Sequence, residues 1–288
     1  GSNALYASTL GNISFQGMLI TTTNSLPATN IKGNTITKTT INFTPVSSAT
    51  NAFIGIETNG SGINIGGSLA GEGNIIGSNT SNGAIIVSTS TTSTSFTSVI
   101  KGINCLSSGG IVNGNQVGGF DISNLGTAPA PAAFAGIYVN NATAPIQVNA
   151  NIIGSNGSGA ASNSIRVLAA SAALSNTISG IEIGNTVTSP VTVNGNYVQN
   201  IGNLSTTSSG SFTGINNTAT VSAAVMTMTN NNIKNITTAA NSHVTSTIYT
   251  GIHSTSPSII YNDTIANIII AATGTAAQLR GIMVSGAF

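Results

Sequence analysis

The chain is 288 residues long, with only 4% charged residues and a formal net charge of +1, where ordinary globular domains are about a quarter charged. That balance excludes the electrostatic footprint of a nucleic-acid or anionic-membrane binder. With 40% apolar residues and one cysteine, it also excludes the apolar-poor composition of a disordered chain and any internal disulfide framework.

In chain order, the first pattern is Φ-x-Gly-Ile/Met, where Φ is a large apolar residue. Its copies begin at Phe15, Phe53, Ile100, Phe134, Ile178, Phe212, Tyr249 and Leu279, with glycines at 17, 55, 102, 136, 180, 214, 251 and 281. The shortest step, Gly251 to Gly281, is 30 residues and the longest, Gly55 to Gly102, is 47. Such recurrence is the signature of a solenoid. Variable spacing around a fixed anchor suits coils that share a core but differ in loop length, and the long segments 57–99 and 155–176 are expected to be such loops. β-Branched residues, Asn and Gly replace the helix formers that helical repeats need.

A second anchor falls midway through the units. Asn196-Tyr197-Val198-Gln199-Asn200-Ile201, Asn231-Asn232-Ile233-Lys234-Asn235-Ile236 and Asp263-Thr264-Ile265-Ala266-Asn267-Ile268 align as N/D-x-I/V-x-N-I. Shorter versions start at Asn34, Asn74, Asn115 and Asn151. Alternating segments such as Ile146-Gln147-Val148-Asn149 precede several of them. The pattern predicts short strands of period two, separated by Asn/Gly turns, at least twice per unit.

One coil cannot bury its own apolar face, so successive coils must stack, with parallel strands ~4.8 Å apart and seven to eight coils making a rod ~35 Å long. Asparagines at the turns tolerate left-handed conformations and can pair with the backbone of the next coil. A bend or bulge at the motif glycine would let both Φ and the following Ile point inward. An unbroken strand from Ile178 to Ile183 would speak against that bend.

The G-I-x-I/V strand followed by I/V-x-V-N-x-N-x-I/V resembles the repeats of right-handed parallel β-helices of the pectin-lyase-like type. It is also similar to repetitive secreted surface proteins and adhesins of gliding bacteria. The resemblance implies an all-β chain, 1–288 forming a single right-handed parallel β-helix domain of about seven to eight coils with variable loops. The opening Gly1-Ser2 and the end just after the eighth motif give the expectation of a segment of a longer surface protein, extracellular or at the cell surface. Fold alone does not assign activity, because this one hosts lyases, hydrolases, tailspikes and adhesins.

Alternation puts the residue after each Gly-Ile/Met outward: Leu19, Glu57, Asn104, Tyr138, Glu182, Asn216, His253 and Met283. Glu57, Tyr138, Glu182 and His253 are therefore the candidate catalytic residues of an enzyme reading. At one coil per motif, Glu57 and Glu182 would be ~14 Å apart, beyond the roughly 5–9.5 Å of paired glycosidase carboxyls. Glu72 is expected in a loop, Asp121 at a strand end, and Asp263 in place of a ladder asparagine. No zinc or calcium ligand set is recognisable, and no cofactor is expected. Cys105 replaces a small core residue. Thr35-Ile36-Thr37 and Thr227-Met228-Thr229 match an ice-binding pattern only locally.

The reading that follows is a non-catalytic surface module, an adhesin or structural stalk contacting glycans or another surface ligand, with end-to-end or lateral self-association. The alternatives are a polysaccharide lyase or glycoside hydrolase of the same fold, and a filament or surface-layer building block. No nucleic-acid partner and no membrane span are expected.

Overall fold

The computed structural model describes residues 4–8, 15–23, 28–43, 50–89, 98–124, 132–155, 164–168, 175–204, 209–219, 225–238, 248–271 and 277–285. Every strand in these segments pairs in parallel, in three sheets of eight, seven and twelve strands that wind as a β-solenoid. The eight-stranded sheet holds all eight Φ-x-Gly copies, one per coil, from Phe15–Thr21 to Gln278–Val284. The seven-stranded sheet holds the alternating segments, among them Ile146–Asn149 and Val191–Asn194. The twelve-stranded sheet forms the third side. In the earlier coils that side is two short strands, such as Gln116–Gly118 and Phe120–Asn124. From Tyr197–Asn203 onward the two merge into one strand. Asn200, Asn235 and Asn267 sit at the junction, with φ of 56°, 55° and 51°.

The expected loops 57–99 and 155–176 are corrected by this winding. Residues 57–89 contain the strands Ile63–Gly66, Ile75–Gly77 and Ile85–Thr89, and the second segment contains Ile165–Val167. The distance between motif copies conceals the other two sides of the coil. Residues 90–97, 156–163 and 169–174 lie outside the described residues.

At the motif glycine the strand Ser175–Ile183 runs unbroken, so the expected break is absent. The side-chain phase nevertheless slips there. Ile178 and Ile181, three residues apart, are both buried, and the paired register passes from Ser179↔Thr213 to Ile181↔Ile215 without a Gly180–Gly214 partner. The glycine serves for space, its φ not being left-handed. A Cβ on Gly180 would lie 2.5 Å from the Gly214 carbonyl oxygen and 2.4 Å from Val198 Cγ1. The same collision with the next coil's carbonyl recurs from Gly17 to Gly251.

The core is a set of aligned ladders: Ile56, Ile103, Ile137, Ile181, Ile215 and Ile252 are fully buried. Phe15 stacks on Phe53 at 5.2 Å, and Phe212 stacks on Tyr249 at 5.9 Å. Cys105 pairs with Thr58 and Val139 in this core, and burial pushes its thiol up.

A polar ladder runs through the corner between the seven- and twelve-stranded sheets. Asn34, Asn74, Asn115, Asn151, Asn196 and Asn231 each donate from backbone N and from Nδ2 to the Oδ1 of the next member, at 2.7–3.1 Å. From Asn74 to Asn231, Nδ2 also donates back to a carbonyl of the preceding coil, from Ile31 through Val193. The left-handed turn residue comes just before: Gly33, Gly114, Ala150, Gly195, Asn230 and Asn262 all have positive φ. In this ladder turning and pairing are divided between neighbours, whereas Asn200, Asn235 and Asn267 do both, with positive φ and with Nδ2 donating to Ser155, Asn200 and Asn235 of the preceding coil.

The seventh member is Asp263, as the alignment anticipated. Its Oδ1 accepts both bonds from Asn231, while Oδ2 is buried without a partner. By register, the carbonyl it should face is that of Met228, so two acceptors meet where the ladder has a donor and an acceptor. Burial raises the Asp263 carboxyl above its ordinary value, against the two bonds from Asn231.

Two stability outcomes follow. Asn151→Ala strips the acceptor from two buried donors of Asn115 and should cost about 3 kcal/mol or more in urea unfolding. Asp263→Asn should stabilise the protein by about 1 kcal/mol at pH 7 by restoring the missing donor. Because the folded carboxyl is raised, the wild type loses stability as pH climbs through the unfolded value of about 3.9. The advantage of the Asn variant should therefore open above that pH and close below it. A pH-independent difference would rule this account out.

Candidate functional site

The outward row of the eight-stranded sheet aligns as the alternation requires. Leu19 pairs with Glu57, Glu57 with Asn104, and Asn104 with Tyr138. Tyr138 then pairs with Glu182, Glu182 with Asn216, Asn216 with His253, and His253 with Met283. Glu57 and Glu182 are three coils apart, ~14 Å at one strand spacing per coil, and Glu182 and His253 are two coils apart. The four candidate residues thus share a face; the register keeps Glu182 out of direct reach of Glu57 and His253 and places Tyr138 beside it.

Lys101 is the member that sequence reasoning passed over. It occupies the x position of the motif, and the phase slip at Gly102 brings positions x and x+3 to the same outward side. Its Nζ donates to Asn104 Oδ1 at 3.2 Å and lies 3.8 Å from the centre of the Tyr138 ring. Asn104 is 3% exposed, and its Nδ2 donates to Glu57 Oε2 at 2.6 Å. A connected group therefore spans four coils, from Glu57 through Asn104, Lys101 and Tyr138 to the neighbouring Glu182. The signal was present in sequence as the i, i+3 spacing of Lys101 and Asn104, which strict alternation assigns to opposite faces.

Beside Lys101 is a concavity of about 230 Å³, lined by Val99, Lys101, Ala135, Tyr138, Thr177 and Glu182 among others. Burial raises the Glu182 carboxyl, while the Ser179 hydroxyl and the Lys101 ammonium pull it down. Burial lowers Lys101, against the attraction of Glu182 and Glu57. The Tyr138 phenol is raised by burial and then by Glu182, so it stays protonated at neutral pH. The ring face that could take a ligand cation already carries Lys101. One ammonium between two carboxylates disfavours an anionic ligand and suits hydroxyl groups.

His253 joins its two neighbouring coils. Its Nδ1 lies 3.0 Å from Asn216 Oδ1, and its Nε2 lies 2.9 Å from Ser285 Oγ. Burial lowers its pKa and the charge of Arg280 adds to the effect. His243 lies outside the described residues.

The other acids serve the scaffold. Asp121 is the second residue of the strand Phe120–Asn124, rather than at its end as expected, and accepts two bonds from Arg166 on the next coil, at 2.7 and 2.6 Å. Glu72 is in a loop, 2.9 Å from Lys32 Nζ. Among the described residues no group of three or more His, Cys, Asp or Glu could hold a metal ion.

No protein-family model and no curated protein sequence matches the chain. Among solved structures, the alginate lyase from Paenibacillus sp. str. FPU-7 aligns over 93% of this chain and 98% of its own, at 15% identity and a TM-score of 0.17. That score carries no functional argument.

Lys101→Met should raise the Glu182 pKa further, because the nearby ammonium is removed while the burial remains. Carboxyl-carbon NMR titration of the wild type and the variant checks the direction. An unchanged Glu182 would mean that the two groups are not coupled.

Proposed function

We propose that this chain is a rigid extracellular or cell-surface rod, an adhesin or stalk module that contacts glycans without cutting them. The observation that supports it is the continuity of the ladders. One glycine stack, one asparagine ladder and aligned Ile, Phe and Val columns run from coil to coil, and three of the five acids are spent on that framework. A stiff, nearly neutral surface rich in hydroxyl and amide groups binds through hydrogen bonds, with little electrostatic steering. The concavity beside Lys101 and Tyr138 offers such groups to a sugar.

Self-association belongs to the same reading. Ile259, Ile269, Leu279, Ile282 and Val284 are 47–57% exposed, apolar surface that a second copy of this chain could cover. Sedimentation velocity should show association that grows with concentration. A single monomeric species throughout would remove this part of the proposal.

The depolymerase alternative has no carboxyl pair at working distance to favour it. A glycan array run beside an assay for new reducing ends decides between them. Binding without release is expected. Release that disappears in Glu182→Gln would replace the rod by a lyase or hydrolase acting on that face.

A further inference from the structure

Beyond the rod reading, we propose that Ser285, His253 and Asn216 form a hydrolytic site for carboxylic esters on the outward face of the eight-stranded sheet. The three residues come from successive coils, Asn216 and His253 directly paired and Ser285 two residues beyond Met283, the partner of His253. Asn216 Oδ1 can only accept, so the 3.0 Å contact places the imidazole proton on Nδ1. That leaves the lone pair of Nε2 facing Ser285 Oγ at 2.9 Å. A nucleophile within reach of a base, and the base held by a third group, is the arrangement that activates a serine.

The surroundings favour the neutral base. Partial burial and Arg280, on the next coil, both disfavour the imidazolium. The preceding coil presents the uncharged Thr213 and Asn216 at this point, and Glu182 is one coil further away. Ser285 itself is exposed, so an acyl carbonyl can approach it.

The same surroundings select the substrate class. The backbone N–H of Ser285 is already committed to the Ser254 carbonyl at 2.8 Å. Arg280, whose charge is felt by His253, is the cation of this coil, and its guanidinium already donates to Met283 Sδ and Gln278 Oε1. With that limited stabilisation an ester, whose alcohol leaves readily, is within range, and an amide is not. The site lies on an open sheet face, which suits an ester displayed on a larger molecule.

The chemistry balances with water as co-reactant. Ser285 Oγ bonds to the acyl carbon as its proton passes to His253 Nε2. The acyl–oxygen bond then breaks, and the alcohol departs with that proton. Water attacks the acyl-serine, giving one proton to Nε2, and the carboxylic acid leaves as the proton returns to Oγ. Asn216 acts through His253, as a positioning residue.

The test treats the intact chain with p-nitrophenyl acetate and with an alkyl fluorophosphonate. Expected are turnover of the ester and a single phosphonyl adduct at Ser285, with the rate falling in acid along a limb below the usual histidine value of about 6.5. Ser285→Ala should abolish both, and His253→Gln should lower turnover at least about a hundredfold. Asn216→Asp adds a carboxylate beside the ring and should move the acid limb upward. Turnover retained in Ser285→Ala, or no adduct at Ser285, overturns the proposal, and an unmoved limb in Asn216→Asp removes the role of Asn216. These outcomes are separate from the rod reading, which is tested by glycan binding and by the release of polysaccharide ends.

Discussion

The backbone at each corner of a β-solenoid must leave one strand, turn and enter the next sheet without abandoning its hydrogen bonds. In this protein the buried asparagine ladder meets that need. Each side chain supplies an acceptor to the coil before it through Oδ1 and a donor to a carbonyl of that same coil through Nδ2. Its Nδ2 and backbone N–H also donate to the coil after it. An unpaired polar group at this depth costs more than a paired one returns, so the ladder specifies register as much as it stabilises. A slip by one residue would put a different side chain, such as Ile75, Gln116 or Ile152, at most of the asparagine positions and orphan several groups together.

The glycine stack imposes the complementary constraint on the opposite side of the coil. There the backbones of successive coils and the aliphatic ladder of the twelve-stranded sheet approach closely enough to exclude a β-carbon. This contact turns the phase of the strand while leaving it extended, and so has a consequence for chemistry. It puts residues three apart on one outward side, which assembles Lys101 with Asn104 and links them to Glu57 and Tyr138. A core packing rule thereby determines which surface groups meet.

The surface is correspondingly economical in charge. Asp121 and Glu72 are held by Arg166 and Lys32, and Asp263 is built into the ladder. Glu57 and Glu182 flank Lys101 on the outward row, and His253 ties together coils farther along it. Binding through hydroxyl-rich contacts and a localised hydrogen-bonded relay fit this pattern. A charged substrate channel does not.

The eight motif copies, the period-two segments and the asparagine positions were enough to read an all-β solenoid from the sequence. They also aligned the outward row correctly from Leu19 to Met283 and identified Asp263 as a ladder member, because all of these follow from local alternation repeated once per coil. The inward turn of Φ at the motif glycine was anticipated, but that the same slip brings positions x and x+3 to one outward side depends on how successive coils pack, and Lys101 was missed for that reason. Nor could alternation divide the span between copies into three sides, so 57–99 read as a loop although it contains strands. The bonds joining His253 to Asn216 and Ser285 depend on side chains from three coils far apart in sequence. Local pattern determined which residues face outward, and only the stacking of coils decided which of them touch.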